Sequence, residues 1–196
     1  MEATNGIVLN GHRYGDYGLI AVVFTEKQGL LKFALPFQRA AKNKWRGLFL
    51  PLQEIELQFK LTLKELETVK QACLLSPHLE LRNSLEVLEA ASLMAKALLQ
   101  TLPPGESSPV LYALFKKYLF LLPQAPHPSV LLASFKMKTL MHEGLLDPEE
   151  LVSSDRNFLT ALCLTRNVQR LFELPKETES LVHADILFDQ ILSSQV

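Results

Sequence analysis

Six basic side chains and no acidic one lie within residues 27–53, which gives this segment the clearest chemical bias in the chain. Lysine and arginine neutralise phosphates and release condensed counterions, and aromatic rings offer faces on which any nucleobase can stack. The segment therefore predicts a surface for single-stranded nucleic acid. A loop that is basic only because it is solvated has the same composition, and barrel aromatics more often belong to the core. The cations are Lys27, Lys32, Arg39, Lys42, Lys44 and Arg46, and the neighbouring aromatic residues are Phe33, Phe37, Trp45 and Phe49.

The charge balance separates this part of the chain from the rest. The formal net charge is −1, with 20 Lys and Arg against 21 Asp and Glu, and that total argues against a nucleic-acid partner. Residues 1–80, however, contain ten basic and eight acidic side chains, whereas residues 81–196 contain ten basic and thirteen acidic ones. We therefore expect nucleic acid to bind the first part of the chain.

Motifs for catalysis or metal binding are absent from the sequence. Cys73 and Cys163 are ninety positions apart among apolar neighbours, so we expect two buried, reduced thiols and no thiolate zinc site. The five histidines lack the spacing of metal ligands, and neither a glycine-rich phosphate loop nor a nucleophile elbow occurs. We expect a binding protein that is not an enzyme and needs no cofactor or metal.

Neither a secretion signal nor a membrane span is recognisable. The first six residues carry no basic start and no apolar stretch. The longest apolar runs, residues 19–24 and 110–115, are far shorter than the roughly 20 residues that cross a bilayer. We expect a soluble, cytoplasmic protein without a membrane partner.

The first 70 residues have the pattern of β-strands. Within residues 54–59, Ile55, Leu57 and Phe59 alternate with polar residues, which is typical of a half-buried antiparallel strand. Asn-Gly pairs at 5–6 and 10–11 are expected to separate strands. Four or five short strands in about 70 residues favour a small barrel or sandwich. The expected strands cover residues 7–9, 18–25, 30–36, 46–59 and 61–63.

From about residue 76 the apolar period changes to three or four positions, which is typical of amphipathic helices. The first helix is expected over residues 81–102, where Pro-Pro-Gly at 103–105 ends it. Ser-Ser-Pro at 107–109 opens a second helix to about residue 122, and others follow over residues 128–144, 155–172 and 178–193. The sequence therefore predicts a β domain over residues 1–75 and a bundle of about five helices over residues 76–196.

A series of motifs runs in order through residues 7–60. They are Tyr14-Gly15-Asp16-Tyr17, residues 19–26, Gly29-Leu30-Leu31, the basic residues 39–44, residues 46–52 and Glu54–Phe59. In order and spacing they resemble the opening of the bacterial recombination and repair protein family RecO. That family begins with a Tyr-Gly-Glu-x-Asp stretch, an apolar strand ending in Phe-Thr and a Gly-Lys-Leu turn. It continues through a basic segment into Arg-Gly-x-Leu-x-Pro-Phe and an acidic-apolar strand.

The resemblance implies an α+β multidomain fold, with an N-terminal OB-fold-like barrel followed by an all-α bundle. It also implies a cytoplasmic, nucleoid-associated mediator that binds single- and double-stranded DNA and promotes annealing. The implied partners are RecR, with which it helps load RecA, and the C-terminal tail of single-stranded-DNA-binding protein. The DNA contacts carried over from the family are Arg39, Lys42, Lys44 and Arg46, with Lys32 and Lys27 as further candidates.

Two departures from the family pattern keep an alternative open. One arginine of the family's basic pair is Ala40 here, and the family's four-cysteine zinc module is missing from this sequence. The alternative is a protein-interaction adaptor of the same architecture with weakened DNA binding.

A tail that carries acidic residues, an apolar side chain and a free carboxylate requires a hydrophobic pocket rimmed by cations. The helix expected over residues 128–144 aligns with the family's Leu-Arg-Arg-Phe-Glu-like helix, but its cations are Lys136 and Lys138. Residues two apart on a helix point about 200° apart, so at most one of these lysines rims a given pocket. Lys116 and Lys117 on the preceding helix are alternative cations, and lysines that merely snorkel from a bundle surface show the same pattern.

Overall fold

The computed structural model describes residues 2–14, 18–36, 47–62, 65–151, 155–176 and 178–195. The chain divides into two compact units. The first unit comprises Met1–His78 together with Pro103–Ala113, and the second comprises Leu79–Leu102 together with Leu114–Val196. The segment Pro103–Ala113, which the sequence pattern places with the helices, thus belongs to the first unit.

Five strands build the first unit, and they form a closed barrel in the order β1-β2-β3-β5-β4. Strand β1 pairs antiparallel with both β2 and β4, whereas β3 and β5 close the barrel as a short parallel pair. This OB-like barrel followed by helices confirms the predicted fold class. The strands are β1 (Glu2–Tyr14), β2 (Gly18–Thr25), β3 (Gly29–Pro36), β4 (Glu54–Phe59) and β5 (Glu67–Ser76).

The barrel interior is filled by alternate residues of the strands, because successive side chains of a strand point to opposite faces. Phe33 and Phe59 meet there edge to face, with ring centroids 5.2 Å apart. Gly6 lies where β1 approaches this core, and a Cβ on it would be 2.5 Å from Cγ1 of Val23. Fully burying each such large side chain contributes about 1.5–3 kcal/mol. The core consists of Val8, Ala21, Val23, Phe33, Leu35, Phe49, Ile55, Leu57, Phe59 and Val69.

Several predicted strand boundaries are wrong. The Asn-Gly pairs at 5–6 and 10–11 lie inside the 13-residue β1 instead of in turns. Within the described part of the strand expected over residues 46–59, only Glu54–Phe59 forms a strand, because the chain turns at Leu52, whose φ is +69°. Residues 61 and 62 belong to no strand, and the last strand is instead Glu67–Ser76, which the sequence pattern misses.

The segment Pro103–Ala113 packs on the barrel within the first unit. The Gly105 N–H donates to the Leu30 carbonyl at 3.0 Å. The Tyr112 hydroxyl donates to the buried Glu54 carboxylate at 3.4 Å, and its ring lies 5.7 Å from that of Phe24. Burial raises the pKa of the Tyr112 hydroxyl, so this buried group stays neutral and keeps its proton for the bond.

The described residues form five α-helices, as the sequence predicts. Helix α3 is buried along most of its length and contacts α1, α4 and α5. Helix α4 ends at Leu164 instead of near residue 172, and Val168–Glu173 forms a separate 3-10 helix. None of the described helices combines the length and apolar character that a bilayer crossing requires. The helices are α1 (Leu85–Thr101), α2 (Pro109–Leu121), α3 (Pro128–His142), α4 (Arg156–Leu164) and α5 (Thr178–Ser193).

Candidate nucleic-acid interface

Only part of the predicted basic segment falls within the described residues. Arg39, Lys42, Lys44 and Arg46 lie outside them, as do Phe37 and Trp45. Lys27 and Lys32 are described, and both are exposed on the barrel. Of the six predicted DNA-contacting cations, the structure therefore describes these two lysines.

The described aromatic residues of the segment are core residues. Phe33 is fully buried and Phe49 is almost so, and both belong to the hydrophobic interior of the barrel. A ring enclosed by protein cannot stack on a nucleobase. For Phe33 and Phe49 the core interpretation is confirmed, and stacking is excluded for these two rings.

Lys27 is positioned by a tight, internally bonded turn between β2 and β3. The buried Thr25 hydroxyl donates to the Gly29 carbonyl at 2.8 Å and accepts from the Gln28 N–H at 3.1 Å. Gly29 completes the turn with a φ of +67°, a conformation that costs glycine little. The turn directs the Lys27 side chain outward, where its ammonium donates to the Ala3 carbonyl at 3.1 Å.

Lys32 projects from the outer face of β3 toward the segment that joins β4 to β5. Its side chain is 46 % exposed, and its Nζ lies 3.5 Å from a carboxylate oxygen of Glu65. Because exposed pairs of this kind are screened by water, they contribute little to stability. The pair partly offsets the positive charge that Lys32 presents to an anionic ligand.

The β4–β5 loop is held in place by a buried carboxylate. Glu67 is only 1 % exposed, and it accepts from the Thr62 backbone N–H at 2.9 Å and from the Thr62 hydroxyl at 2.8 Å. In OB-folds, oligonucleotides bind along the face of strands 2 and 3 and at the loops between strands 1 and 2 and strands 4 and 5. Glu67 therefore fixes a loop that borders the usual binding face of this fold.

Further exposed cations of the first unit are not among the predicted contacts, and Lys60 and Lys70 are two of them. Lys60 directly follows β4 at the start of this loop, and Lys70 lies on β5. The signal for Lys60 was its position at the end of the alternating strand Glu54–Phe59. Lys70 had no such signal, because the strand that carries it was not recognised.

The two lysines of α3 point to different sides of the helical unit. Lys136 is 12 % exposed, pairs with Asp185 at 2.9 Å and lies 5.0 Å from the centroid of the Phe188 ring. Lys138 donates to the Tyr118 hydroxyl at 3.0 Å and to the Thr165 carbonyl. Burial lowers the pKa of the Lys138 ammonium to about 8. Both lysines thus form contacts inside the unit.

On α2, by contrast, the predicted partner-binding cations Lys116 and Lys117 are exposed. They are adjacent on the helix surface and follow Phe115, which is buried against Phe135 with ring centroids 5.5 Å apart. The helix is therefore anchored by its aromatic face and presents its lysines outward. Of the four lysines considered for a partner, these two are the more accessible.

The cysteines differ from the prediction in one case. Cys163 is buried as expected, and burial raises the pKa of its thiol to about 11. The expectation is wrong for Cys73, which is exposed on β5. The Cys73 thiol donates to a Glu56 carboxylate oxygen at 3.2 Å, and this bond raises its pKa. Within the described ranges, no three His, Cys, Asp or Glu side chains converge on a point where they could hold a metal ion.

Residues 1–78 match the family model described as "Recombination protein O N terminal". The chain is 28 % identical over 167 residues to DNA repair protein RecO of Chlamydia muridarum (strain MoPn / Nigg), covering 85 % of this chain and 71 % of the relative. It is 30 % identical over 118 residues to DNA repair protein RecO of Syntrophobacter fumaroxidans, covering 59 % and 46 %. The chain thus spans between about half and three quarters of the length of these relatives. The resemblance predicted from the motif order is confirmed.

Proposed function

Because this chain is RecO-like, with an N-terminal domain that matches the RecO family, we propose that it acts in DNA repair and homologous recombination. The observation that carries the proposal is the similarity to DNA repair protein RecO along 85 % of the chain. The closed five-stranded barrel supports it, since barrels of this type bind oligonucleotides.

We propose that single- and double-stranded DNA bind the barrel mainly through their phosphates. Arg39, Lys42, Lys44 and Arg46 are the principal proposed contacts, and Lys32 and Lys27 extend the same basic segment along β3 and the β2–β3 turn. Each neutralised phosphate releases counterions, so affinity falls as salt rises. Phosphate contacts of this kind hold a strand without reading its sequence, as annealing of any complementary pair requires.

We propose that the protein acts as a mediator that binds protein partners, without catalysing a reaction and without a cofactor. The helical unit is the proposed site for the C-terminal tail of single-stranded-DNA-binding protein, with Lys116 and Lys117 as the accessible cations and Lys136 and Lys138 as the others. With RecR, the protein would help load RecA onto coated strands. The proposed location is the bacterial cytoplasm, in association with the nucleoid.

A protein-interaction adaptor with weakened DNA binding is the second candidate. The observation that favours it is that the described cations of the basic segment already contact other groups of the protein. Lys32 is offset by Glu65 at 3.5 Å, and the ammonium of Lys27 is bonded to the Ala3 carbonyl. In an adaptor, the same fold would bind protein partners, and DNA binding would contribute little to its function.

The salt dependence of binding to a labelled single-stranded oligonucleotide tests the DNA-binding proposal. Replacing Arg39, Lys42, Lys44 and Arg46 by Ala should flatten the logarithmic salt slope by up to about 2.8, at roughly 0.7 for each phosphate contact. The matched control replaces four exposed cations of the helical unit, Arg82, Lys96, Lys116 and Lys117. It removes the same net charge and should leave the slope within about one contact of the parent. Equal slopes for both variants would remove the basic segment as the DNA contact.

A further inference from the structure

A pocket opens in the first unit between the β2–β3 turn, the β4–β5 loop and the segment around Pro104. Its volume of about 440 Å³ falls within the roughly 300–1,000 Å³ of pockets that hold small ligands. All of its lining residues belong to the first unit. Its walls are aliphatic, formed by Leu30, Leu31, Leu61 and Pro104. We term it the barrel pocket.

The charged side chains that line the barrel pocket balance in number, because Lys27 and Lys32 are accompanied by Glu65 and Glu67. Glu65 offsets Lys32 at 3.5 Å, whereas the ammonium of Lys27 donates to the neutral Ala3 carbonyl. Glu67 also lines the pocket, but its two carboxylate oxygens are bonded to Thr62. The lysine at the β2–β3 turn therefore favours an anionic group beside the pocket.

Gln28 adds an unused hydrogen-bonding group. Its side-chain oxygen Oε1 is buried, and no partner is found for it among the described residues. Buried amide oxygens without a partner are costly and therefore rare. The terminal torsion of a glutamine is broad, so the amide can turn toward an N–H group that a ligand places in the pocket. The lining thus combines aliphatic walls, a cation and an amide that lacks a partner.

We propose that the barrel pocket binds an aliphatic side chain of a partner peptide that has a carboxylate beside it. The leucines and the proline enclose the side chain, Lys27 pairs with the carboxylate, and Gln28 accepts from a backbone N–H of the peptide. The lining residues that the structure describes include no aromatic ring, so these residues offer no stacking platform of the kind with which proteins hold single-stranded bases. The lining of this docking site includes Lys27 and Lys32, which also belong to the proposed DNA contacts.

Fluorescence anisotropy with the full chain tests the proposal. The probe is a fluorescein-labelled hexapeptide, Ser-Asp-Leu-Leu-Asp-Ser, and the two comparison peptides replace either the leucines by serine or the aspartates by lysine. We expect saturable binding of the first peptide only. Leu61→Asp and Lys27→Glu should each weaken it by about tenfold or more, as expected for residues central to a small interface. The control Lys70→Glu changes an exposed lysine of β5 that does not line the pocket, and it should change the affinity by less than about twofold.

Three outcomes would overturn the proposal. The first is absence of saturable binding of the acidic leucine peptide, and the second is equal binding of the serine peptide. The third is binding that neither Leu61→Asp nor Lys27→Glu weakens while circular dichroism shows both variants folded. If a five-nucleotide thymidine oligonucleotide displaces the peptide from the parent and loses binding in Leu61→Asp, the pocket belongs to nucleic acid and the peptide assignment is wrong.

Discussion

Replacing Gly29 by alanine should destabilise the first unit through two separate effects. Gly29 has a φ of +67°, a left-handed conformation in which an alanine is strained. A Cβ at this position would also collide with the backbone carbonyl of Glu106, lying 2.6 Å from its carbon. Gly105 provides a matched control, because its φ is +79° but a Cβ there would meet no atom within 4 Å.

The structure sets the expected difference between the two variants. The left-handed conformation costs an alanine about 1–2 kcal/mol, and this cost applies to both positions. The gain from a less flexible unfolded chain, about 0.4–1 kcal/mol, also applies to both. Only Gly29→Ala adds the overpacking against Glu106, which costs about 1–3 kcal/mol because the obstacle is backbone. We therefore expect Gly29→Ala to be about 1–3 kcal/mol less stable than Gly105→Ala.

Urea denaturation followed by circular dichroism measures both free energies of unfolding. In a thermal scan, the same difference corresponds to about 2–4 °C for each kcal/mol in a chain of this size. Equal stabilities for the two variants would show that residues 103–106 do not pack against the β2–β3 turn as described. Since Pro104 and Gly105 line the barrel pocket, that result would also remove one wall of the proposed peptide site.

Three further predictions concern buried or titratable groups. The pKa of Lys138 is about 8 when folded, below its ordinary 10.5, so the unfolded chain binds more protons between these values and stability rises with pH there. Between pH 7 and 9 the free energy of unfolding of the parent, measured by urea denaturation, should rise relative to that of Lys138→Met. The rise should be less than about 1.4 kcal/mol, since solvent screens this partly exposed group. An unchanged difference between the two proteins would contradict the burial of Lys138. Glu67→Ala removes both bonds to Thr62 and should cost about 2 kcal/mol, with faster hydrogen exchange in the β4–β5 loop. Glu67→Gln should cost less, because its amide oxygen can accept from the Thr62 N–H and its NH2 group can donate to the Thr62 hydroxyl, and equal losses would refute this role of Glu67. A thiol reagent should modify Cys73 in the folded protein and Cys163 only after unfolding, and early loss of both thiols would be inconsistent with the fold.

Much of the fold could be predicted from local sequence patterns. Strand β2 begins and ends at the predicted residues, and a turn at residues 26–28 directly follows the strand. Helix α2 begins at Pro109, as the Ser-Ser-Pro pattern predicts. Strand β5 was missed because the consecutive leucines Leu74 and Leu75 are both exposed, so its apolar residues do not alternate with polar ones. A register shift opposite Gln58 and Phe59 disturbs the pattern further.

The candidate site was less predictable, because its features depend on contacts between distant residues. The bias of charge around Lys27 and Lys32 could be read from the sequence, and both residues are exposed on the barrel. The bond between Glu67 and Thr62 depends on a loop conformation that no motif specifies. The pocket between Leu31 and Pro104 requires a segment about 70 positions away to return to the barrel, and sequence periodicity carries no information on such a return.

Strand annealing on coated DNA distinguishes a recombination mediator from an adaptor. Complementary labelled oligonucleotides are coated with single-stranded-DNA-binding protein, and duplex formation is followed with the parent protein and with the variant in which Arg39, Lys42, Lys44 and Arg46 are alanine. We predict that the parent accelerates annealing and that the variant, although folded, loses most of the acceleration. The matched variant of the helical unit should retain enough DNA binding to anneal strands that are not coated. A parent protein that binds neither naked nor coated strands and leaves the annealing rate unchanged would contradict the proposed function.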